Sequence, residues 1–240
     1  MPAVAAVCRL PPWWNGRHAR LRTWWRKPCW FDPSRGHSAT DGQLTRSVMS
    51  EQHRFVTIIH GFGMTPEKMW FPWMHRKLEA AGFGVHTPAL PDPLTPTYRK
   101  WMAAMKSAVQ RWDENTYVIG HSIGGVVVLR ALEHLAAKPV RGVMLIGSPF
   151  AAFPGVKEME TGFAMPIDWA RLKAMAGAYT VIHSKDDLLA PYDHALRYQE
   201  ALGARLVTAE KDGHFIGKTA PLVWDEFSKM ANGMVGKSEG

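Results

Sequence analysis

The chain has 240 residues, of which 46% are apolar and 21% charged, and a formal net charge of +8. That length suits one large domain, and the composition excludes global disorder. No run approaches the roughly 18 consecutive apolar residues needed to cross a bilayer, which excludes a helical membrane span. Cys8 and Cys29 are the two cysteines, so the rest of the chain holds no disulfide, thiolate-bound metal or cysteine nucleophile.

The charge is unevenly spread. Residues 1–48 carry eight Lys/Arg against two Asp/Glu, and five of the eleven tryptophans. The remainder is nearly balanced, with no basic stripe to hold nucleic acid. Pro11, Pro12, Pro28 and Pro33 break any element in the first 48 residues. This segment reads as a basic, Trp-rich disordered extension, with a single domain at 49–240 whose natural start is Met49. An Arg-rich, acid-poor leader also fits an organellar transit peptide, and its Trp/Arg mixture fits contact with a membrane or nucleic acid. The apolar run Ala3–Val7 is too short for a signal peptide, and the expected location is cytoplasmic.

From there, strands and helices alternate. Arg54–His60 is a β-branched apolar strand, and Pro66–Ala81 carries Trp70, Met74, Leu78 and Ala81 at helical spacing. Gly84–Ala89 is a second strand, Pro91–Pro96 a loop, and Thr97–Trp112 a helix. Strand Thr116–Gly120 runs into a helix from Ile123 to about Ala136. Strand Gly142–Gly147 follows, then an irregular stretch to Pro166 and a helix over Ile167–Ala176. Strand Tyr179–His183, helix Tyr192–Leu202, strand Arg205–Thr208 and helix Ala220–Asn232 complete the pattern. This rhythm predicts an α/β fold: a three-layer sandwich with a mainly parallel sheet and its ligand beyond the carboxyl ends of the strands.

Gly120-His121-Ser122-Ile123-Gly124 lies between an apolar strand and an apolar helix. That context, more than the bare G-x-S-x-G pattern, identifies a nucleophile elbow. The glycines at both flanks, Gly120 and Gly124, make room for the sharp turn, and the helix N-terminus favours developing negative charge at Ser122. Serine needs a base, and the base an orienting acid. In the order serine, acid, histidine, His134 falls within a helix, His183 precedes the acid candidates, and His194 sits on a helix close behind them. His214, in the turn Asp212–Phe215, is therefore the base. The loop Ser184–Pro191 offers Asp186 and Asp187, between which composition does not choose. The amides of Ile123 and, in the loop His60-Gly61-Phe62-Gly63, of Phe62 are placed to form an oxyanion hole.

Residues 54–230 resemble the α/β-hydrolase superfamily. More narrowly they resemble the small serine hydrolases typified by retinoblastoma-binding protein nine and YdeN. The resemblance rests on the His60-Gly61 loop followed by Trp70 and Trp73, the Leu90–Pro93 loop and the Gly-His-Ser-x-Gly elbow. It is carried further by Pro166–Trp169 and by the Ser-Lys-Asp-Asp segment with its terminal Gly-His-Phe. The His-Gly-Phe-Gly loop departs from the family's Pro-Gly-rich form and looks like that of ordinary esterases. The resemblance implies Asp187 as the triad acid, and hydrolysis of simple esters or amides through an acyl-enzyme, with no cofactor or metal. Phe150, Phe153, Phe163, Met165 and Trp169, with Phe62 and Trp70, are candidate walls of a small acyl pocket. The rival readings are an acyltransferase or perhydrolase, and a catalytically silent interaction protein.

Overall fold

The computed structural model describes residues 54–150, 163 and 165–233. The N-terminal extension, Phe153 and most of the stretch expected to be irregular lie outside them. The elements are β1 (Phe55–Ile59), α1 (Phe71–Ala80), β2 (Gly84–His86), α2 (Tyr98–Val109), β3 (Thr116–His121) and α3 (Ile123–His134). They continue with β4 (Gly142–Ile146), α4 (Trp169–Ala174), β5 (Tyr179–Ser184), α5 (Asp193–Leu202), β6 (Arg205–Ala209) and α6 (Pro221–Gly233).

The six strands form one sheet in the order β2-β1-β3-β4-β5-β6, and every pairing is parallel. Strand residues alternate between faces, and here both faces are covered. Ile59, Val118, Val143, Leu145 and Val181 meet Trp101 and Met105 of α2, Leu172 of α4, Tyr198 of α5 and the body of α3. Val56, Ile58, Ile119, Met144, Ile146 and Ile182 meet Phe71, Met74 and Leu78 of α1 and Val223 and Phe227 of α6. Two cores and one sheet give three layers. The chain leaves β1 toward β2 and returns to the other side of β1 with β3, so the direction of winding reverses between β1 and β3. Such a reversal opens a crevice at the carboxyl ends of the two strands.

Where element ends differ from the sequence expectation, local chemistry explains them. Helix α1 starts at Phe71 rather than Pro66, because Met69 has φ +54° and Pro72 suits only the first turn. Strand β2 stops at His86 ahead of Pro88, which has no N–H for the ladder. Helix α2 starts after Thr97, whose hydroxyl accepts from Lys100 N–H.

Helix α3 is buried almost throughout, and Arg130 inside it is 0% exposed. Its guanidinium donates to Glu133 Oε2 at 2.8 Å and to the carbonyls of Pro166, Phe163 and Met165. Glu133 Oε1 accepts Asp168 N–H at 2.8 Å, and Asp168 caps α4 through Arg171 N–H. One ion pair thus fastens the chain entering α4 onto α3. Breaking a buried pair strands the remaining charge. We expect Arg130→Met to lose about 3–5 kcal/mol in urea unfolding, and the double variant Arg130→Met/Glu133→Leu to lose less.

Candidate active site

Strand β3 delivers Ser122 into the crevice. The Ser122 amide still donates to Ile146 O at 2.8 Å, one step beyond the β3–β4 register. The backbone then turns sharply: Ser122 has φ +55° and ψ −133°, a conformation that costs on the order of 1–3 kcal/mol for a residue with a Cβ. Two close approaches hold the turn. A Cβ on Gly124 would lie 2.5 Å from both Ile59 O and His60 O, and one on Gly61 would lie 2.8 Å from Ser122 Cβ. The loop carrying Phe62 is therefore pressed against the serine, and Ile123 opens α3 beside it.

Three distant side chains meet here. His214 Nε2 lies 2.9 Å from Ser122 Oγ, and His214 Nδ1 lies 2.8 Å from Asp187 Oδ2. A carboxylate only accepts, so Nδ1 carries the proton and Nε2 is free to accept from the serine. Asp187 Oδ1 accepts the N–H groups of Leu189 and Ala190 at 2.9 and 3.0 Å. Burial opposes its charge, but the His214 hydrogen bond and the Ala190 and Leu189 amides prevail. They hold its carboxyl below the ordinary range. Asp186 points elsewhere, accepting from Ser184 Oγ–H and, at 2.9 Å, from Gly213 N–H. It braces the loop against the turn that bears His214.

Three further histidines sit at the ends of strands, each buried. His60 Nε2 accepts Leu90 N–H at 2.9 Å, which puts its proton on Nδ1, 3.0 Å from Gly61 O. His121 Nε2–H donates to His214 O at 2.8 Å, and His183 Nε2–H donates to Ala190 O at 2.7 Å. Burial lowers the basicity of all three, and pushes His121 down to about 3. None of these contacts was expected from sequence, where His121 was only a letter in the elbow and His183 was set aside by chain order.

The expected pocket walls separate. Trp70 does not line an open cleft: it is 0% exposed within the second core, and its indole N–H donates to Phe215 O at 2.9 Å. An aromatic residue close after the His-Gly loop fits a wall or a core equally well by pattern, and here the core claims it. Phe163 is likewise buried, edge-on to Tyr98 and Trp101. Phe150 and Trp169 stack on each other with centroids 4.9 Å apart, beside Tyr198. His194, on α5, takes Phe150 N–H at 3.2 Å. Phe62 and Met165 remain exposed. Among the described residues, no three His, Cys, Asp or Glu side chains are grouped to hold a metal, and no helix is long and apolar enough to cross a membrane.

A family model described as "Serine hydrolase" matches residues 56–231. YdeN of Bacillus subtilis (strain 168) is 31% identical over 175 residues, covering 71% of this chain and 92% of YdeN. The serine hydrolase RBBP9 of Rattus norvegicus is 27% identical over 158 residues, covering 65% of this chain and 83% of that protein. The crystal structure of the B. subtilis ydeN product superimposes with a TM-score of 0.70 at 28% identity, covering 75% of this chain and 99% of that one. Est1E from Butyrivibrio proteoclasticus shares the fold, with a TM-score of 0.61 at 16% identity over 78% of this chain and 90% of its own.

The buried histidines carry a pH consequence. His121 has its pKa lowered in the folded state, so below about pH 6.5 the unfolded chain binds a proton there that the folded chain refuses. Stability therefore falls as pH drops from about 6.5 toward 3, by up to about 1.4 kcal/mol per pH unit from this residue. Between pH 7 and pH 5 the wild type should lose about 2 kcal/mol more than His121→Gln, which does not titrate, as read from urea midpoints.

Proposed function

The chain belongs to the serine hydrolase family and has the fold of the α/β-hydrolase superfamily; on that premise we propose that it cleaves an apolar ester or amide through an acyl-enzyme formed on Ser122. The observation that carries the reading is the continuous hydrogen-bond chain Asp187–His214–Ser122, at 2.8 and 2.9 Å. His214 takes the Ser122 proton as Oγ bonds to the substrate carbonyl carbon. The amides of Phe62 and Ile123 receive the oxyanion, in the low-dielectric setting where such donors are worth most. His214 then passes its proton to the departing alcohol or amine. Water attacks the acyl-enzyme, again giving up a proton to His214, and the acid is released as Ser122 recovers its own. Asp187 holds the imidazole in the required tautomer and offsets its positive charge in both steps.

The rim of the crevice supports the apolar substrate. Phe62, Leu94, Leu188, Leu189 and Ile216 are all exposed. Phe62 adjoins Gly61, Leu188 and Leu189 follow Asp187, and Ile216 lies two residues beyond His214. Leu94 stands by the first loop, 3.6 Å from where a Gly63 Cβ would be. Exposed apolar residues gathered around one site mark a surface that takes apolar matter.

Ser122→Ala should abolish both ester hydrolysis and fluorophosphonate labelling with the circular dichroism spectrum unchanged, and Asp187→Asn should lower kcat by about 10⁴-fold. Retention of labelling by the Ser122→Ala protein would refute the assignment. Among p-nitrophenyl esters, kcat/KM should rise on the order of tenfold from acetate to hexanoate. A flat or falling series would remove the apolar substrate from the proposal.

A further inference from the structure

The turn that bears His214 is held by two buried side chains outside the Asp187–His214–Ser122 hydrogen-bond chain. His121 Nε2–H reaches the His214 carbonyl at 2.8 Å, and Trp70 Nε1–H reaches the next carbonyl, that of Phe215, at 2.9 Å. The two rings meet edge to face with centroids 6.0 Å apart, and Phe71 closes on His121 at 5.9 Å. Both donors are buried: His121 is 1% exposed and Trp70 0%. The residue they suspend is itself unusual, because Phe215 has φ +54° without being glycine. A left-handed, non-glycine residue persists only where its surroundings fix it.

His121 has a second distinction: it immediately precedes Ser122. Its α-carbon belongs to the strand that aims the nucleophile, while its ring holds the main chain of the base. One residue therefore sets the distance between the two reacting partners from both ends. The hydrogen bond works only with the proton on Nε2, since a carbonyl cannot donate. Nδ1 is buried and has no hydrogen-bond partner among the described residues. The groups facing the ring are Trp70, Phe71 and the His214 imidazole, whose centroid is 5.1 Å away. The His214 carbonyl and Asp187 favour charge on His121, but burial, first, and then the His214 and His60 imidazoles outweigh them. Buried and bonded through Nε2–H, the imidazole is a neutral donor to the turn.

We propose that His121 and Trp70 are positioning residues: they register the His214 imidazole against Ser122 by donating ring N–H groups to the two successive carbonyls of its turn. The inference rests on the Ser122 acyl-enzyme reading and adds to it two residues that act through another. A displacement of about 1 Å in a reacting group can cost on the order of 100-fold in rate.

The test uses the full chain and p-nitrophenyl hexanoate, with wild type and Ser122→Ala measured alongside. His121→Leu removes the donor. His121→Gln restores one at the same number of bonds from Cα. Trp70→Phe keeps an aromatic ring but loses the N–H. We expect kcat to fall about 10- to 100-fold in His121→Leu and by a smaller factor in Trp70→Phe. KM should stay within about twofold, because both residues are buried, and His121→Gln should recover most of the loss. A role in folding alone would lower the melting temperature without this split and without rescue by glutamine. If His121→Leu does not fold, Trp70→Phe decides. The proposal is overturned by wild-type kcat in His121→Leu or Trp70→Phe, or by glutamine no better than leucine. Failure of the underlying reading looks different: the wild type would be inactive, or Ser122→Ala would retain activity.

Discussion

Between the loop after β1 and the turn after β3 there is no space for a side chain. Main chain meets main chain there: the carbonyls of Ile59 and His60 crowd Gly124, and Gly61 crowds Ser122. The setting of Ser122 depends on that approach. It requires glycine at 61 and 124, and Ser122 beside them has a positive φ. It also brings peptide groups, rather than side chains, next to the serine hydroxyl, where charge would develop during acyl transfer. The reversal of winding between β1 and β3 makes the approach possible, because these adjacent parallel strands end side by side.

The central strands were legible because both faces of the sheet are covered, so that each reads as a short continuous apolar run. Val118 and Ile119 serve opposite cores, as do Val181 and Ile182. Ser122 and His214 were legible for a related reason, since each lies in a short turn whose neighbours betray the turn. Asp187 was reached through resemblance. Geometry separates it from Asp186 by what each oxygen meets: backbone amides and His214 for one, Ser184 and Gly213 for the other.

What could not be read are contacts whose partners lie far along the chain. His121 and His214 are 93 residues apart, and Trp70 and Phe215 are 145 apart. Nothing local to Trp70 says that its indole N–H has a carbonyl to meet, so a wall and a brace look alike in one dimension. Arg130 is the exception in which a signal was present. A lone cation within the apolar run Val126–Leu132 must be solvated from within the protein, and it is, by Glu133 and three carbonyls. The sequence does not reveal which carbonyls.

At or beside the carboxyl ends of strands β1, β3 and β5 a buried imidazole ties down a loop: His60 through Leu90 and Gly61, His121 through His214 in the turn after β6, and His183 through Ala190. The anchoring therefore resides in buried groups, whereas Phe62, Leu188 and Ile216 on the anchored loops are exposed. Mounting and fitting are separate layers. Substitution at Phe62, Leu188 or Ile216 would therefore change the exposed surface while leaving the hydrogen bonds of the three histidines in place.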